Sequence, residues 1–418
     1  MFRTAGGTQR SPALLALAVV GLVGCDVLGL GSEKEEVHLE PIEAAPGQRF
    51  TQVGAGWLHT CATGTSGGVY CWGKGEIGEI GPPPTTICRD TPFGDVPCTG
   101  VPQRVPGAPP LHSLGGGLNH TCGLDAQGVA WCWGLHGFLG DGVRHADPAA
   151  DTVPCEGPPE MGLTCRASAK PVSGDTRFTT LQLAVEGRSS CGVAADGSGW
   201  CWGSGGAAFL GMEGSLVPSP LPSTLSFQAL VVQPNFGCGL TQGAGWCWGS
   251  NWYGTLGNGS EDFGTTSAPV AVAGGHTFTQ LAGTPSSMCG LQPAGAAVCW
   301  GHLPSFRADS SHHPYGRSPA PAGGPDFASI YGGGSHHCGL TAGGEAWCWG
   351  DNYVGALGDG SRSDQTVPVQ VKAPAGVRFT QLALGGSHTC GLATDGRLFC
   401  WGSNSMGQLG RAPSRRGR

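Results

Sequence analysis

Pairs of cysteines recur along this chain, and the second cysteine of each pair begins the tripeptide Cys-Trp-Gly. This repetition restricts the fold. Seven times, two cysteines with nine residues between them, or eight in one copy, end in Cys-Trp-Gly. The pairs are Cys61 with Cys71, Cys122 with Cys132, Cys191 with Cys201, Cys238 with Cys247, Cys289 with Cys299, Cys338 with Cys348, and Cys390 with Cys400. Self-similarity at a period of about 50 residues is typical of propellers and solenoids. The spacing therefore predicts one large repeat domain.

Each pair also predicts a β-hairpin. Cys390 and Cys400 lie opposite each other only if the loop is the three residues 394 to 396, and such loops favour Gly at their third position. Six copies have Gly there, and the shorter copy has a two-residue loop that also ends in Gly: Gly67, Gly128, Gly197, Gly295, Gly344, Gly396 and Gly243. Opposed residues on antiparallel strands are within disulfide reach. We therefore predict seven disulfides, each within one hairpin.

Composition supports a turn-rich all-β fold. The chain has 77 Gly and 32 Pro, yet 39% of its 418 residues are hydrophobic and 13 are Trp, which argues against disorder. Only 12% are charged and the net charge is −7, so we expect no nucleic-acid partner. A Trp follows each second cysteine, and alternation puts it on the opposite face of the strand. We expect these aromatic residues to fill interfaces between repeats rather than to form a carbohydrate-stacking platform.

The N-terminus has the pattern of an export signal. Arg3 and Arg10 precede the apolar run 13–23, which is too short to span a bilayer as a helix of about 20 residues. The run ends in Leu-Val-Gly-Cys25, which resembles the lipobox of bacterial lipoproteins; an ordinary secretory signal is the alternative. We expect Cys25 to be acylated and the protein to be an exported, membrane-anchored lipoprotein at the periplasmic face or cell surface. The other 18 cysteines are an even number, which suits disulfides in an exported protein.

The full repeat resembles a known family. Residues 385–410 show its four parts in order: Gly-Gly-x-His-Thr-Cys-x-Leu, Asp-Gly, Cys-Trp-Gly and Gly-x-Leu-Gly. This pattern is similar to the repeat of the regulator of chromosome condensation family. The resemblance covers about residues 37–410 and implies a seven-bladed β-propeller, with cysteine pairs like those of bacterial lipoproteins of this type. Three copies depart from the pattern at the His position, with Arg188-Ser-Ser, Asn235-Phe-Gly and Ser286-Ser-Met.

The ends of the repeat region predict how the ring closes. Each internal repeat continues into a further strand after Gly-x-Leu-Gly, but the last copy has none after Gly410. We predict that the run 37–42 supplies this strand to the last blade and removes an exposed edge. The predicted layout is a lipoprotein signal peptide at 1–24, a tether at 25–36, the propeller at 37–410 and a basic disordered tail at 411–418.

Two linkers between blades are long and carry their own cysteine pairs. Residues 80–110 contain Cys88 and Cys98, and residues 143–171 contain Cys155 and Cys165. The first pair fits a hairpin that turns at Pro92-Phe93-Gly94, whereas Gly162 comes one residue late for the second, whose pairing stays open. The linkers are either tolerated surface insertions or rigid neighbouring protrusions that contact a partner, and we favour the second interpretation.

No residue pattern indicates catalysis. The chain lacks a Gly-x-Ser-x-Gly elbow on a strand and a His-Glu-x-x-His motif, and every cysteine is assigned. His59, His120, His336 or His337, and His388 could converge on a metal in the central channel. No carboxylate accompanies them at a fixed offset, so we expect hydrogen bonds within each blade's turn instead. We predict no metal, no cofactor and no catalytic residue.

These features predict a non-enzymatic, lipid-anchored, monomeric propeller. It would bind an unknown protein or an envelope glycan through one face and the long loops of blades 1 and 2, and would touch the membrane only through its lipid. One alternative is a polysaccharide lyase or hydrolase, which needs a converging acid and base. Another is a purely structural protein of the cell envelope.

Overall fold

A computed structural model describes residues 40–42, 48–91, 94–143, 152–154, 164–204, 214–302 and 316–413. The predicted signal peptide at 1–24, Cys25, the tether at 25–36 and residues 37–39 of the predicted closing strand lie outside these residues. Thirty strands within the described ranges form seven antiparallel sheets, each a propeller blade. No helix in the described ranges is long and apolar enough to cross a membrane.

The blades follow one another in chain order. Blade 1 contains β2 (Phe50–Ala55), β3 (His59–Gly64), β4 (Val69–Lys74), β5 (Ile87–Thr91) and β6 (Gly94–Arg104). Blade 2 contains β7 (Leu111–Gly116), β8 (His120–Asp125), β9 (Ala130–Leu135), β10 (Thr152–Pro154) and β11 (Thr164–Pro171). Blade 3 contains β12 (Phe178–Leu183), β13 (Arg188–Ala194), β14 (Gly199–Ser204) and β15 (Ser215–Pro220).

The remaining blades have four strands each. Blade 4 contains β16 (Ala229–Val232), β17 (Phe236–Thr241), β18 (Ala244–Ser250) and β19 (Thr265–Ala271). Blade 5 contains β20 (Gln280–Thr284), β21 (Ser287–Leu291), β22 (Ala297–Gly301) and β23 (Gly316–Pro321). Blade 6 contains β24 (Ser329–Gly332), β25 (His336–Leu340), β26 (Ala346–Gly350) and β27 (Gln365–Gln370). Blade 7 contains β28 (Phe379–Leu384), β29 (His388–Ala393), β30 (Leu398–Gly402) and β1 (Glu40–Ile42).

The predicted hairpin disulfides are present in all seven blades. The two cysteines of each pair face each other across the second and third strands, with Cα atoms 4.0 to 4.2 Å apart. The disulfides join Cys61 to Cys71, Cys122 to Cys132, Cys191 to Cys201, Cys238 to Cys247, Cys289 to Cys299, Cys338 to Cys348, and Cys390 to Cys400. Each pair of the repeat is thus bonded within its own blade, as the register predicted.

The loops that set this register have the predicted geometry. Gly396 closes its three-residue loop with φ 79°, a left-handed conformation that Gly adopts without steric cost. In the short loop, Gln242 (φ 49°) and Gly243 (φ 81°) both have positive φ, as a two-residue type I′ turn requires. The loop that is one residue shorter therefore changes the turn type and leaves Cys238 opposite Cys247.

Each interface between blades is a separate apolar core. The disulfide of one blade lies in the same buried cluster as the Cys-Trp-Gly tryptophan of the next blade, and this holds at all seven interfaces. The seven tryptophans are at most 3% exposed: Trp72, Trp133, Trp202, Trp248, Trp300, Trp349 and Trp401. They therefore pack between blades, as the sequence predicted, and are not available as a stacking platform.

Buried histidines add polar contacts to several interfaces. His59 Nε2 lies 2.8 Å from Thr121 Oγ1, and His388 Nε2 lies 2.9 Å from Thr60 Oγ1, so each imidazole bonds to a hydroxyl of the following blade. The same contact links His120 to Ser190 and His336 to Thr389, and His337 bonds back to Ser287. The prediction of hydrogen bonds within each blade's turn was therefore wrong, because the nearest hydroxyl is brought in by the neighbouring blade. No group of three or more His, Cys, Asp or Glu in the described ranges is arranged to hold a metal.

The ring closes as predicted. β1 pairs antiparallel with β30, with Glu40 opposite Cys400 and Ile42 opposite Leu398, and so becomes the outer strand of blade 7. The folded chain also extends past the predicted boundary at residue 410. Asn404 Nδ2 donates a hydrogen bond to Ala412 O at 2.8 Å, which fixes the first residues of the predicted tail against blade 7. Residues 414–418 lie outside the described ranges.

Deleting residues 26–44 should destabilise the protein, because β30 would lose its outer partner and expose an edge. We expect the melting temperature to fall by about 2–5 °C, which corresponds to roughly 1–2 kcal/mol. Calorimetry measures this. Deletion of 26–36 alone is the matched control and should leave the melting temperature unchanged; an equal drop in both variants would contradict the role of β1.

Acid should weaken the interfaces through the buried histidines. Burial lowers the pKa of His59, His337 and His388 to about 3 and that of His120 and His336 to about 4, from an ordinary 6.5. Below pH 6.5 the unfolded chain binds protons that the folded chain excludes, so the free energy of unfolding falls as the pH falls from 6.5 towards 4. The loss should approach about 1.4 kcal/mol per buried histidine for each pH unit.

Urea unfolding at pH 7, 6, 5 and 4.5 measures this dependence. Replacing His336 and His388 by Gln should lower stability at pH 7 but reduce the slope between pH 6 and 4.5 by about two-fifths, because two of five such histidines are removed. Carboxylates whose pKa is lowered in the folded protein, such as Asp141, reduce the free energy of unfolding only at lower pH. They therefore do not cause its fall between pH 6 and 4.5. An unchanged slope in the double variant would rule out the histidines as its source.

Candidate functional site

One face of the propeller carries the inserted loops, and we call it the upper face. It is defined by the loops between the first and second strands of each blade, which lie at 56–58, 117–119, 184–187, 233–235, 285–286, 333–335 and 385–387. Because neighbouring strands are antiparallel, the third strand of each blade also ends on this face. Any insertion between the third and fourth strands therefore emerges there.

The insertion of blade 1 is a disulfide-bonded hairpin on the upper face. The first residues of β6 pair with β5 and extend beyond the end of β4. The following residues pair with β4, with Cys98 opposite Lys74 and Thr99 opposite Gly73. Cys88 and Cys98 form the predicted disulfide, with Cα atoms 5.7 Å apart. Pro92 and Phe93 of the predicted turn lie outside the described ranges, and Gly94 has φ 84°.

The two sides of this hairpin have different environments. Cys88, Val96 and Cys98 are buried against Met406 of blade 7, so one side covers the segment next to the ring closure. Ile87 is 44% exposed, and the Arg89 side chain is 73% exposed. The buried side therefore stabilises the fold, while Ile87 and Arg89, on either side of Cys88, face solvent.

The insertion of blade 2 emerges on the same face. Cys165 lies opposite Leu135 at the end of β9 and opposite Val153 of β10. Cys165 is disulfide-bonded, but its predicted partner Cys155 lies outside the described ranges, so that pairing stays a prediction. Cys165 packs with Ile77, Leu135 and Phe138, which joins this insertion to blade 1.

Two ion networks that sequence reasoning missed lie at the bases of the insertions. In blade 1, Lys74 Nζ lies 2.8 Å from Glu76 Oε2 and 3.3 Å from the buried Glu79 Oε1. Burial lowers the pKa of Lys74, but the two carboxylates outweigh it and hold that pKa above its ordinary value, so the lysine stays charged. Glu79 occupies the position that Gln408 has in the last repeat. This difference between the repeats was the sequence signal that could have indicated the network.

The second network is in blade 2. Arg166 Nη1 lies 2.9 Å from Asp141 Oδ2, and His136 Nδ1 lies 3.4 Å from the same oxygen. Burial opposes ionisation of Asp141, but hydrogen bonds and the nearby Arg166 keep its pKa below its ordinary value. Arg166 belongs to β11, so this second network ties the start of that strand to the segment that follows β9.

The inner strands of the blades line the central channel mainly with apolar and amide side chains. Its cavity of about 250 Å³ is lined by the inner strands of the blades with Val, Leu, Ile, Ala, Gly, Ser, Gln and Tyr331, and no carboxylate, His or Lys is among the described lining residues. Amides of this lining connect blades instead: Gln381 bonds to N and O of Val53, and Gln280 to N and O of Ile330.

Comparison with known proteins identifies the repeat. Models of the regulator of chromosome condensation (RCC1) repeat match residues 50–76, 327–356 and 379–408, and a related model of the same repeat matches 343–392. The ultraviolet-B receptor UVR8 of Arabidopsis thaliana is 25% identical over 379 residues, which cover 88% of this chain and 68% of the plant protein. The secretion-regulating guanine nucleotide exchange factor of Mus musculus is 30% identical over 107 residues, 23% of each chain.

Solved structures support the same fold. Prp20p of Saccharomyces cerevisiae superimposes with a TM-score of 0.63 at 18% identity, covering 84% of this chain and 81% of the yeast chain. Human WBSCR16 superimposes with a TM-score of 0.64 at 17% identity, covering 85% and 86% of the two chains. This chain therefore carries repeats of the regulator of chromosome condensation type, in a seven-bladed propeller with a disulfide in the central hairpin of every blade.

Proposed function

We propose that this protein is an exported, lipid-anchored propeller that binds a protein partner through its upper face without catalysing a reaction. The observation that carries the proposal is that the insertions of the adjacent blades 1 and 2 both emerge on the upper face. Two insertions that leave adjacent blades on one face, the first of them closed by a disulfide, can contact one partner together.

The exposed side chains of the first insertion suit a protein interface. Ile87 offers an apolar surface, Val101 on the adjoining strand is 67% exposed, and Arg89 offers a charged group. Interfaces of this kind combine a few apolar anchors with Arg and a polar rim. Among the relatives, yeast Prp20p has been characterised for binding to Gsp1p and histones, and has been solved bound to Kap60.

The cysteines support the proposed location. Disulfides in every blade suit an oxidising compartment, where they persist, rather than a reducing cytosol. The Leu-Val-Gly-Cys25 sequence after an apolar run supplies the proposed acylation site. One acyl chain alone binds membranes weakly, so stable anchoring would need more than one chain at Cys25.

A double variant, Ile87→Ser with Arg89→Glu, should abolish partner capture without unfolding the propeller, because both side chains face solvent, away from the buried cluster of Cys88, Val96 and Cys98. Photo-crosslinking in intact producing cells, followed by mass spectrometry, measures the capture. We expect at least a tenfold loss, about 1.4 kcal/mol or more. Val367→Ser, at a 52% exposed position of the outer strand of blade 6, is the matched control and should capture normally. Equal capture by both variants would refute the proposed surface.

Cys25→Ser should release the protein from the membrane, because the chain would lose its only proposed anchor. Membrane and soluble fractions are compared by immunoblot, with labelling by an alkyne fatty acid to detect acylation. A second variant, Cys88→Ser with Cys98→Ser, should keep the label and the membrane association. An unlabelled wild-type protein, or a C25S protein that stays in the membrane fraction, would exclude the lipid anchor.

A further inference from the structure

A pocket of about 270 Å³ opens on the upper face between blades 4 and 5. Trp252 and Tyr253 from the segment after β18 line it, together with Asn235 and Pro285 from the upper-face loops of the two blades. The Trp252 side chain is 65% exposed. The seven Cys-Trp-Gly tryptophans are buried between blades, whereas Trp252 stands five residues after the second cysteine, a position at which blade 6 has Tyr353, 55% exposed.

The pocket lies where the histidine contacts are interrupted. Phe236 of blade 4 occupies the position that His59 has in blade 1, and Ser287 occupies it in blade 5. No imidazole–hydroxyl bond therefore links the described residues of blades 4 and 5 at their upper end, and Phe236, 1% exposed, lines the pocket instead. The sequence departures noted in these two repeats coincide with this pocket.

Hydrogen bonds and one ring contact fix the segment that carries Trp252 and Tyr253. Trp252 N donates to Ser250 Oγ at 3.3 Å, and Asn251 bonds on both sides, donating to Asp262 O at 2.7 Å and accepting from Leu256 N at 3.1 Å. Tyr253 stacks on His302 of blade 5, with ring centroids 5.6 Å apart and an angle of 28°. A ligand would meet a largely preformed surface, which lowers the entropic cost of binding.

The chemistry of the lining selects the kind of ligand. The described lining residues are aromatic, amide, hydroxyl and Pro side chains, and none is charged. A charged ligand would find no counter-charge in this lining. A neutral pyranose ring matches it, because one face of the sugar carries C–H groups that stack on an indole and its rim carries hydroxyls that bond to amide and hydroxyl groups.

We propose that this pocket binds a neutral sugar residue of a glycan, with Trp252 as the stacking surface and Asn235 as a hydrogen-bonding group. Its volume is close to the lower limit of small-molecule pockets, roughly 300 Å³, which suits one sugar ring rather than a long chain. The site is separate from the insertions of blades 1 and 2. Variants at Ile87 and Arg89 test the protein-binding surface and leave this pocket intact, so either proposal can fail alone.

The test is titration of the purified full-length protein with cellotriose, maltotriose and chitotriose, followed by intrinsic tryptophan fluorescence and by calorimetry. We expect at least one trisaccharide to bind saturably with a Kd between about 10 µM and 10 mM. Trp252→Ala should weaken that binding at least about tenfold, and Trp252→Phe should restore part of it. Asn235→Ala should weaken it with no loss of melting temperature, since Asn235 is exposed.

Tyr353→Ala is the matched control, because Tyr353 is 55% exposed on the same face at the equivalent position of blade 6 but does not line the pocket. It should bind as the wild type does. The proposal is overturned if no trisaccharide binds up to about 10 mM, or if Trp252→Ala and Tyr353→Ala bind equally. Saturable binding of decaproline in place of the sugars, lost in Trp252→Ala, would also overturn it and would indicate a proline-rich peptide as the ligand.

Discussion

The contact between the disulfide of one blade and the tryptophan of the next is the interaction on which this ring depends. It occurs at all seven interfaces, so the propeller has seven small cores around its axis instead of one central core. Each disulfide restrains a hairpin, worth about 2–3 kcal/mol in the chain-entropy model, and also presents apolar surface to the neighbouring indole. The two halves of the repeat motif thus act on different blades, and a blade alone would leave both unpartnered.

Polar groups at the upper end of the interfaces bond each blade to the preceding one. Trp401 Nε1 and Thr389 Oγ1 both donate to Ala356 O of the preceding blade, at 3.0 and 2.9 Å, and the same pair of bonds reaches Glu79 O from blade 2. Where the motif is complete, tryptophan, hydroxyl and histidine all bond across the interface. Where blades 4 and 5 lose His and Thr, a pocket lies at the upper end of their interface. The loss of these side chains from the repeat therefore coincides with a pocket on the upper face.

The insertion of blade 1 combines buried and exposed side chains, and both insertions are fixed to the ring where they begin. The buried side of the first covers Met406 beside the ring closure, and the second is fixed to blade 1 through Cys165 and Ile77. The ion pair of Arg166 with Asp141 ties β11 to the segment after β9, whereas the network around Glu79 lies within residues 74–79. Tolerated insertion and functional protrusion are thus not exclusive interpretations, because the buried side of the hairpin is what holds exposed side chains such as Arg89 in a defined place.

The closure by residues 40–42 could be predicted because the last copy lacks the strand that follows Gly-x-Leu-Gly in the internal repeats. Local geometry explains why the hairpins and the disulfides within them could be predicted from the sequence alone. A loop of fixed length that ends in Gly sets the register, and the register sets which cysteines meet, all within about a dozen residues. The hydroxyl partners of His59 and His388, the pairing of Lys74 with a buried Glu79 and the exposure of Trp252 could not be predicted in this way. The hydroxyl partner of His388 lies 328 residues away along the chain, and only the closed ring brings the two together. The sequence by itself determined the blade; the tertiary structure decided what each blade presents to its neighbours and to solvent, because those contacts exist only after the blades pack.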